Sequence, residues 1–243
     1  MSTTAIILAG GVGSRVGADI PKQFIKILGK PILCYTIDAF EENENVDFIE
    51  IVCHKNYIDY LKDTVKNYGY KKIKRITEGG DNFQHSAMNG INDLTDMLTD
   101  SDIALIHYGV SPFVDRETIN NAISVCKEKG NATPASKCYL LVGTNDGDRS
   151  EKRIDRDGIM ILNAPHAFKF GYLKSLYKRA ADAGILETTE PYPTSLMYRL
   201  GDTVYLSKGS QNNIKITTKD DIDMFEGYVL MKEKRKAENK TEQ

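Results

Sequence analysis

The chain has 243 residues, of which 41% are hydrophobic and 27% charged, and its formal net charge is -2. This length and apolar content suffice for a sizeable buried core, and we expect residues 1–243 to form a single α/β domain. The near-neutral charge excludes a general polyanion binder, because nucleic-acid-binding modules carry a clear basic excess on one face.

Strand-like apolar runs alternate with segments of helical spacing in the first half of the chain. Pro31 opens the segment PILCYTIDAF, where proline favours the first position of a helix. Apolar residues then recur at helical spacing from Phe83 to Leu98. This alternation predicts right-handed crossovers and a doubly wound, mostly parallel sheet that binds ligands beyond the carboxyl ends of its strands. The predicted strands are 4–9, 47–53, 71–77 and 102–108.

The pattern changes after residue 130. Two short β-like pieces, CYLLVG and GIMIL, flank the polar run TNDGDRSEKRIDRDG. This arrangement predicts a projecting β-arm at about residues 136–158, which we expect to serve dimerisation and acceptor binding. The charged C-terminal segment KEKRKAENKTEQ predicts the solvated end of a helix.

The cysteines and histidines form no pattern typical of a metal site or a disulfide framework. Cys34, Cys53, Cys126 and Cys138 include no CxxC pair, and the histidines lie too far apart for a short metal motif. The apolar run at Ala5 leads straight into glycines, and no apolar stretch approaches about 18 residues. We therefore expect no metal held by protein ligands, no signal peptide and no membrane partner. The expected location is cytoplasmic, with reduced thiols.

The segment AIILAGGVGSRVGADIPKQF, residues 5–24, runs from an apolar strand into glycines followed by Arg15 and Lys22. A Rossmann fingerprint that begins at Gly11 fails at Val16, which disfavours an NAD-type oxidoreductase, and a Walker A loop fails at Arg15. Backbone N–H groups of a glycine loop cradle phosphate oxygens, and nearby cations neutralise the charge that grows as a phosphoryl group is attacked. The loop therefore indicates a site for phosphoryl or nucleotidyl transfer.

These residues resemble the cytidylyltransferases that activate 2-C-methyl-D-erythritol 4-phosphate or ribitol 5-phosphate with CTP. LAGGVGSRVGADIPKQF followed by GKPIL is similar to the opening of that family. The order and spacing of the resemblance hold from about Thr4 to Glu226, which implies a Rossmann-like nucleotidyltransferase fold. The later matches are EGGDNFQHSAMNGI (78–91) to GG-x-x-R-x-x-S, LIHYGVSPFV (105–114) to HDAARPFV, IDRDGI (154–159) to the DR-x-G arm, and GSQNNIKIT (209–217) to DNIKIT.

The resemblance implies both the reaction and the residues that perform it. Arg15 and Lys22 would hold the CTP phosphates, and Lys215 would face the reacting α-phosphate; these three are the expected catalytic residues. The implied reaction is in-line attack by an acceptor phosphate on that phosphorus, with Mg²⁺ bridging the nucleotide phosphates. The implied partners are CTP, a small phosphorylated acceptor and a second copy of the chain. The expected nucleotide-binding residues are Ala9, Gly10, Gly11, Gly13, Gly80, Asp81, Ser86 and Gly109.

Departures from the family pattern lie on the acceptor side. Tyr108 replaces the acid of HDAARPF, and Ser111 replaces its arginine. Arg156 is retained, and in the family it reaches the acceptor phosphate across a dimer. Ala164 replaces the threonine of TPQ, and residues 191–195 read PYPTS where the family has TDDAS. The expected acceptor-binding residues are Tyr108, Ser111 and Arg156.

The residue types alone leave the roles of several further positions open. Phe83 stands where the family has the arginine of GG-x-x-R. His166, beside Pro165, lies where the family places substrate contacts, and the sequence reveals no partner for it. His54 and His107 follow strand-like runs and are expected to be strand-end or loop residues rather than ligands.

The lost polar partners argue against the acceptor 2-C-methyl-D-erythritol 4-phosphate, because unpaired buried polar groups cost about 1 to 3 kcal/mol each. The sequence predicts a smaller, less polar pocket and a CTP-dependent cytidylyltransferase for a polyol phosphate of the pentitol or glycerol type, supplying a cell-surface polymer. Two alternatives remain open: a 2-C-methyl-D-erythritol 4-phosphate cytidylyltransferase of isoprenoid synthesis, and a catalytically inactive nucleotide-binding homologue.

Overall fold

The structure, a computed structural model, describes residues 1–11 and 20–241 and is built on one eight-stranded sheet with helices on both faces. Gly13 and Arg15 of the glycine loop lie outside the described residues. The strands are β1 (Thr3–Ala9), β2 (Lys26–Ile27), β3 (Lys30–Pro31), β4 (Phe48–Cys53), β5 (Ile73–Glu78), β6 (Ile103–Tyr108), β7 (Asn131–Lys137), β8 (Val142–Gly143), β9 (Arg153–Ile154), β10 (Met160–Leu162), β11 (His166–Lys169) and β12 (Leu206–Lys208). The helices are α1 (Ile32–Glu41), α2 (Ile58–Tyr68), α3 (Phe83–Asp93), α4 (Arg116–Lys129), α5 (Phe170–Asp182), α6 (Pro193–Arg199) and α7 (Lys219–Thr241).

The central strands are parallel and lie in the order β5–β4–β1–β6. β11 pairs antiparallel with β6 and β7, and β10 and β12 also pair with β7. The chain runs outward from β1 to β4 and β5 and then crosses back to β6 on the other side of β1. This reversal leaves a crevice beyond the carboxyl ends of β1 and β6, where doubly wound sheets bind ligands. The predicted doubly wound, mostly parallel sheet is confirmed.

β1 is buried on both faces and separates two hydrophobic clusters. Ala5 and Ile7 pack into the cluster of α1, α2 and α4, and Ile6 and Leu8 pack into that of α3, α5 and α6. A central parallel strand covered by helices on both sides reads as a nearly continuous apolar run, which explains the segment AIILA after the two buried threonines. Of the described helices, none is long and apolar enough to span a membrane.

The predicted element boundaries needed two corrections. Pro31 ends β3 and precedes α1, because the N–H of Ile32 still bonds to Ile25 O at 2.9 Å and keeps the chain extended up to that point. The helix predicted to reach Leu98 ends at Asp93, and Leu98 is buried in the turns that follow. The helical spacing of apolar residues continues beyond Asp93 because the turns that follow α3 pack against the same hydrophobic cluster as the helix. All four predicted strands are present, with ends shifted by one or two residues.

The predicted β-arm is also present. β8 and β9 pair antiparallel, and every residue from 145 to 158 is exposed. CYLLVG is a strand only at its last two residues, and Tyr139, Leu140 and Leu141 before them are 65%, 73% and 86% exposed. The four cysteines are free and buried, as expected.

Glu50 is a carboxyl buried within the sheet. It lies on β4 with 0% exposure, and its Oε1 accepts a hydrogen bond from Thr77 Oγ1 at 2.7 Å. Its other oxygen has no hydrogen-bond partner among the described residues. Burial raises the pKa of Glu50 to about 8, and the nearby charge of Asp93 adds to this, although the Thr77 bond opposes it. The folded protein therefore holds this carboxyl protonated at neutral pH.

We expect this carboxyl to make the free energy of unfolding fall with rising pH. In the unfolded chain it ionises near its ordinary pKa of 4.5, and in the folded chain only near 8. Its contribution is therefore complete below 4.5 and is lost as pH rises to about 8, with a slope of at most about 1.4 kcal/mol per pH unit. Urea denaturation across this window should show a flatter profile for Glu50→Gln than for the wild type. Glu128→Gln, an exposed control, should keep the wild-type slope; equal slopes for all three proteins would contradict the prediction.

Candidate active site

A cleft of about 630 Å³ opens at the carboxyl ends of β1, β4, β5 and β6. It gathers residues from seven separate segments of the chain, including both predicted lysines. Gly109, Ser111 and Arg156 do not line it, and Gly13 and Arg15 lie outside the described residues. The predicted site residues that line the cleft are Ala9, Gly10, Gly11, Lys22, Gly80, Asp81, Ser86, Tyr108 and Lys215.

Two glycine segments touch each other in the cleft, around the hydroxyl of Ser86. A Cβ on Gly10 would lie 3.3 Å from Ser86 Oγ, and a Cβ on Gly79 would lie 3.2 Å from that oxygen and 3.4 Å from Gly10 Cα. A Cβ on Gly80 would come within 2.4 Å of His85 Cβ. Ser86 Oγ also accepts a hydrogen bond from Gly80 N at 3.0 Å. Gly80 therefore admits no side chain unless the start of α3 shifts, and a side chain at Gly10 or Gly79 would require its neighbours to give way by a few tenths of an ångström.

Gln23 holds the first glycine segment from the protein interior. Its side chain is 2% exposed, and its Nε2 donates to Ala9 O at 2.7 Å and to Gly11 O at 2.8 Å. Two carbonyl acceptors of the loop are thus occupied, which leaves a surface richer in N–H donors and suited to an anion. Sequence reasoning missed Gln23; the available signal was a polar residue directly after Lys22 in a segment that must fold back onto the loop.

Lys22 connects the glycine loop to the C-terminal part of the cleft. Its Nζ donates to Ile216 O at 2.8 Å, and Ile216 N donates to Val110 O at 2.8 Å. The segment that carries Lys215 is therefore tied on one side to Lys22 and on the other to the chain that follows β6. Two cations from distant parts of the sequence are brought into one cleft by these contacts.

The Lys215 ammonium lies against aromatic rings. Its Nζ is 4.3 Å from the centre of the Tyr108 ring and 5.6 Å from that of Tyr192. The Tyr192 ring meets Tyr108 edge-on at 5.9 Å, and Phe83 lies tilted at 5.5 Å. A cation near such ring faces is attracted by their negative π-surface. We call Phe83, Tyr108 and Tyr192 the aromatic wall; all three are positions where the sequence departs from its family pattern.

His166 lies behind the aromatic wall and bonds to it. Its Nε2 is 3.2 Å from Tyr108 Oη, and its Nδ1 is 3.1 Å from Thr133 Oγ1. Burial lowers the pKa of His166 to about 3, with smaller contributions from His107 and Lys215. Burial also raises the pKa of Tyr108 well above its usual value. Both side chains are therefore neutral, and the partner that the sequence did not reveal for His166 is Tyr108.

His107 and His54 occupy the places expected of them. His107 lies in β6 and is fully buried, and its Nε2 donates to Ser111 O at 3.0 Å. Burial lowers the pKa of His107 to about 4, so this imidazole is neutral as well. His54 follows β4, where its Nδ1 accepts a hydrogen bond from Asn56 N at 3.2 Å.

Gly109 and Ser111 serve packing next to the cleft. A Cβ on Gly109 would lie 3.0 Å from Leu33 Cδ1 and 3.1 Å from Ala9 Cβ, so this glycine lets α1 approach the end of β1. Ser111 is 3% exposed and receives the hydrogen bond of His107 on its carbonyl. The structure thus places both residues beneath the cleft and not in its lining.

Arg156 is exposed on the arm, away from the cleft lining of its own chain. Its Nη1 donates to Tyr139 O at 2.8 Å, which fixes the guanidinium beside the exposed apolar residues of the arm. Within residues 1–11 and 20–241, no group of three or more His, Cys, Asp or Glu side chains is arranged to hold a metal ion.

Comparison with known proteins agrees with this architecture over nearly the whole chain. The family model for 2-C-methyl-D-erythritol 4-phosphate cytidylyltransferase, IspD, matches residues 3–231. The ribitol-5-phosphate cytidylyltransferase of Lacticaseibacillus paracasei is 35% identical, with 95% of this chain and 99% of that protein covered. The 2-C-methyl-D-erythritol 4-phosphate cytidylyltransferase of Clostridium acetobutylicum is 38% identical, with 94% and 96% covered.

A solved structure shares the fold. The crystal structure of the Francisella tularensis 2-C-methyl-D-erythritol 4-phosphate cytidylyltransferase (IspD) is 25% identical and superposes with a TM-score of 0.76. The superposed region covers 92% of this chain and 98% of the chain in that structure. The sheet topology, the glycine-lined cleft and the family match over residues 3–231 agree with one another. The chain belongs to the IspD family of cytidylyltransferases.

Proposed function

We propose that this protein transfers CMP from CTP to a polyol phosphate of the pentitol or glycerol type, releasing pyrophosphate and giving a CDP-polyol for cell-surface polymer synthesis. The observation that carries the proposal is a single cleft that combines a glycine cradle, Lys22 and Lys215 with the aromatic wall. The glycine segments and the lysines suit a nucleoside triphosphate, and the aromatic wall marks the side of the cleft that would bind the acceptor. Relatives named ribitol-5-phosphate cytidylyltransferase support the pentitol acceptor.

The nucleotide occupies the half of the cleft formed by the two glycine segments. Backbone N–H groups of Gly10 and Gly11 face its phosphates, and Gly80, Asp81 and Ser86 hold cytosine and ribose. The position of both glycine segments in the lining of one cleft supports this assignment, because backbone N–H groups that no side chain shields can approach a bound nucleotide. Gly13 and Arg15, expected at the same phosphates, lie outside the described residues.

The chemical step is a displacement at the α-phosphorus of CTP. An oxygen of the acceptor phosphate forms the new bond to this phosphorus, and the bond to the bridging oxygen of the β-phosphate breaks, so that pyrophosphate leaves with the electron pair. Such a reaction needs positioning and neutralisation of charge rather than covalent catalysis. Lys215 faces the phosphorus under attack and Lys22 the leaving phosphates. Both lysines share the cleft, which supports an active enzyme over an inactive homologue.

Mg²⁺ accompanies the nucleotide in this proposal. The ion prefers phosphate oxygens, retained waters and one or two carboxylates, and Glu78 and Asp81 supply carboxylates in the cleft lining. When bound, it would neutralise part of the phosphate charge, and the lysines and backbone N–H groups of the cleft would orient the same phosphates.

The acceptor lies against the aromatic wall. The Tyr108 hydroxyl bonds to His166 behind the wall, so the acceptor side presents a ring face where the family has a carboxylate. A carboxylate would accept hydrogen bonds from acceptor hydroxyls, whereas a ring face favours contact with C–H groups. This difference supports an acceptor other than 2-C-methyl-D-erythritol 4-phosphate.

The working unit is a homodimer in which the arm of one chain completes the acceptor site of the other. Arg156 is exposed on the arm, and three consecutive apolar residues beside it, Tyr139 to Leu141, are 65% to 86% exposed. Contiguous exposed apolar side chains favour burial against another surface. A second copy of the chain would cover them and bring Arg156, with its planar fork of donors, to the acceptor phosphate.

CTP is expected to bind at least about tenfold more tightly than ATP, GTP or UTP. Two closely spaced glycine turns suit a single-ring base over a purine, the preference over UTP rests on membership of the cytidylyltransferase family, and a tenfold preference corresponds to about 1.4 kcal/mol. Calorimetric titration with the four nucleotides and Mg²⁺ tests this, and tighter binding of a purine nucleotide would contradict it. Gly80→Ala should weaken CTP binding because its Cβ would collide with His85, whereas Gly227→Ala, where a Cβ meets nothing within 4 Å, should not.

Among acceptors, we expect a pentitol or glycerol phosphate to give a higher kcat/KM than 2-C-methyl-D-erythritol 4-phosphate. The measurement compares ribitol, arabinitol, glycerol and methylerythritol phosphates side by side by pyrophosphate release. If methylerythritol phosphate gives the highest value, the aromatic wall does not select the acceptor. If CTP binds and no acceptor in the panel releases pyrophosphate, the proposed reaction is wrong for these acceptors.

A further inference from the structure

We infer that His166 is a positioning residue that acts through Tyr108 on Lys215. It anchors the Tyr108 hydroxyl, and the anchored ring sets the place of the Lys215 ammonium in the cleft. The inference rests on the proposed function only in taking Lys215 as the cation at the reacting phosphate. It adds an assignment for two residues that line no part of the cleft, His166 and Thr133.

The side chains involved form a polar row across three adjacent strands. Thr133 lies on β7, His166 on β11 and Tyr108 on β6, and β11 pairs with both neighbours. His166 is directly opposite Ile106, so Tyr108 is its diagonal neighbour two residues along β6. All three side chains are at most 5% exposed. The row is therefore fixed by the register of the sheet and ends at the cleft, where the Tyr108 ring emerges.

The hydrogen bonding of the row is complementary. A neutral imidazole has one N–H donor and one acceptor nitrogen, so Thr133 and Tyr108 must take opposite roles toward it. The low pKa of His166, about 3, keeps this arrangement intact at neutral pH. In either tautomer, the Tyr108 hydroxyl is held inside the sheet, and the ring presents its face and not its oxygen to Lys215.

Lys215 and Tyr108 are linked through the backbone as well. Ile216 N bonds to Val110 O at 2.8 Å, which places the Lys215 main chain beside the segment that follows Tyr108. The long lysine side chain still has many rotamers, and the ring 4.3 Å from its Nζ favours one region among them. Loss of the hydroxyl anchor would let the Tyr108 ring turn, and the preferred position of the ammonium would change with it.

The test uses variants that break the anchor and keep the ring. Tyr108→Phe and His166→Leu should each lower kcat about tenfold, the scale of one lost hydrogen bond, and leave KM for CTP within about twofold. The double variant should be no slower than the slower single variant, because both remove the same bond. His166→Gln, which can still donate and accept, should recover most of the kcat lost in His166→Leu. Tyr172→Phe, which loses a hydroxyl bond to Asp202 outside the cleft, is the matched control and should keep the wild-type kcat.

A second measurement follows Lys215 itself and needs no turnover. In protein with ¹³C-labelled lysine, the ε-methylene signal of Lys215, identified by its loss in Lys215→Arg, should be shifted upfield by the ring. Tyr108→Phe and His166→Leu should reduce this shift, and Tyr172→Phe should not. An unchanged shift in both anchor variants would overturn the inference, as would additive losses in the double variant or a rise in acceptor KM alone. A protein that shows these shifts but releases no pyrophosphate would refute the proposed function and leave the positioning intact.

Discussion

Lys215→Ala and Lys22→Ala are each expected to lower kcat by about 10² to 10³, the effect of removing one preorganised electrostatic stabiliser. In the proposed mechanism, negative charge builds up on the α-phosphate and on departing pyrophosphate, and each lysine would place a cation at one of these groups. Lys215 is held between the aromatic wall and the segment bonded to Val110, so its charge is in place before the reaction begins. Single-turnover measurements with saturating CTP would report this step directly.

Substitution of Lys22 has a second effect, because its Nζ also donates to Ile216 O. A thermal denaturation series is therefore needed beside the kinetics, and Lys22→Arg keeps the charge while changing its geometry. Lys208→Ala provides the control: this exposed lysine pairs with Glu117 at 2.5 Å, and neither residue lines the cleft. Turnover that stays at the wild-type level in both Lys22→Ala and Lys215→Ala would refute the mechanism.

Arg156→Ala is expected to lower kcat/KM for the acceptor by about 10- to 100-fold, the range for losing one or two charge-assisted hydrogen bonds. If the arm works across a dimer, mixing the Arg156→Ala chain with the Lys22→Ala chain should restore activity. A mixed dimer then has one site with both residues intact, so about a quarter of all sites should recover after random exchange. Mixing that restores nothing would show that Arg156 does not act on the partner's site.

The controls for this experiment lie on the same arm. Arg153→Ala removes a neighbouring exposed arginine and should leave kcat/KM unchanged. Leu141→Asp places a charge on a side chain that is 86% exposed in the single chain and should shift sedimentation toward monomer. A wild-type protein that sediments as a monomer at micromolar concentration would exclude the dimer.

The fold could be predicted where burial leaves a local signature. β1, β4 and β6 are covered on both faces, so their runs are mostly apolar and stand out in the sequence, with Glu50 and His107 as buried polar exceptions. The segment before β8 misled because Tyr139 to Leu141 resemble a buried strand, yet no neighbouring strand covers them. The local sequence pattern indicates that a segment is apolar, but it does not indicate which surface will cover that segment.

The site could be predicted only in part for the same reason. Gly10, Gly11, Gly80 and both lysines lie in contiguous motifs, and the structure brings them into one cleft. The bond between Tyr108 and His166 joins residues 58 positions apart, and that between Thr133 and His166 joins residues 33 apart. Such pairs depend on strand order and register, which one sequence does not reveal. Gly109 and Ser111 were predicted to bind nucleotide and acceptor, but neither lines the cleft, and the fold uses them for packing beneath it.

The contact between Gly10 and Gly79 has a consequence for any effort to change the base that this protein accepts. The two turns come from different strands, yet a Cβ on Gly79 would lie 3.4 Å from Gly10 Cα and 3.2 Å from Ser86 Oγ. A side chain at Gly79 would therefore need Ser86 or the Gly10 turn to give way by a few tenths of an ångström, so we expect the useful variants to be concerted changes at both turns and at Ser86. Across related sequences, these positions should change together or not at all, so that base choice is inherited as one block.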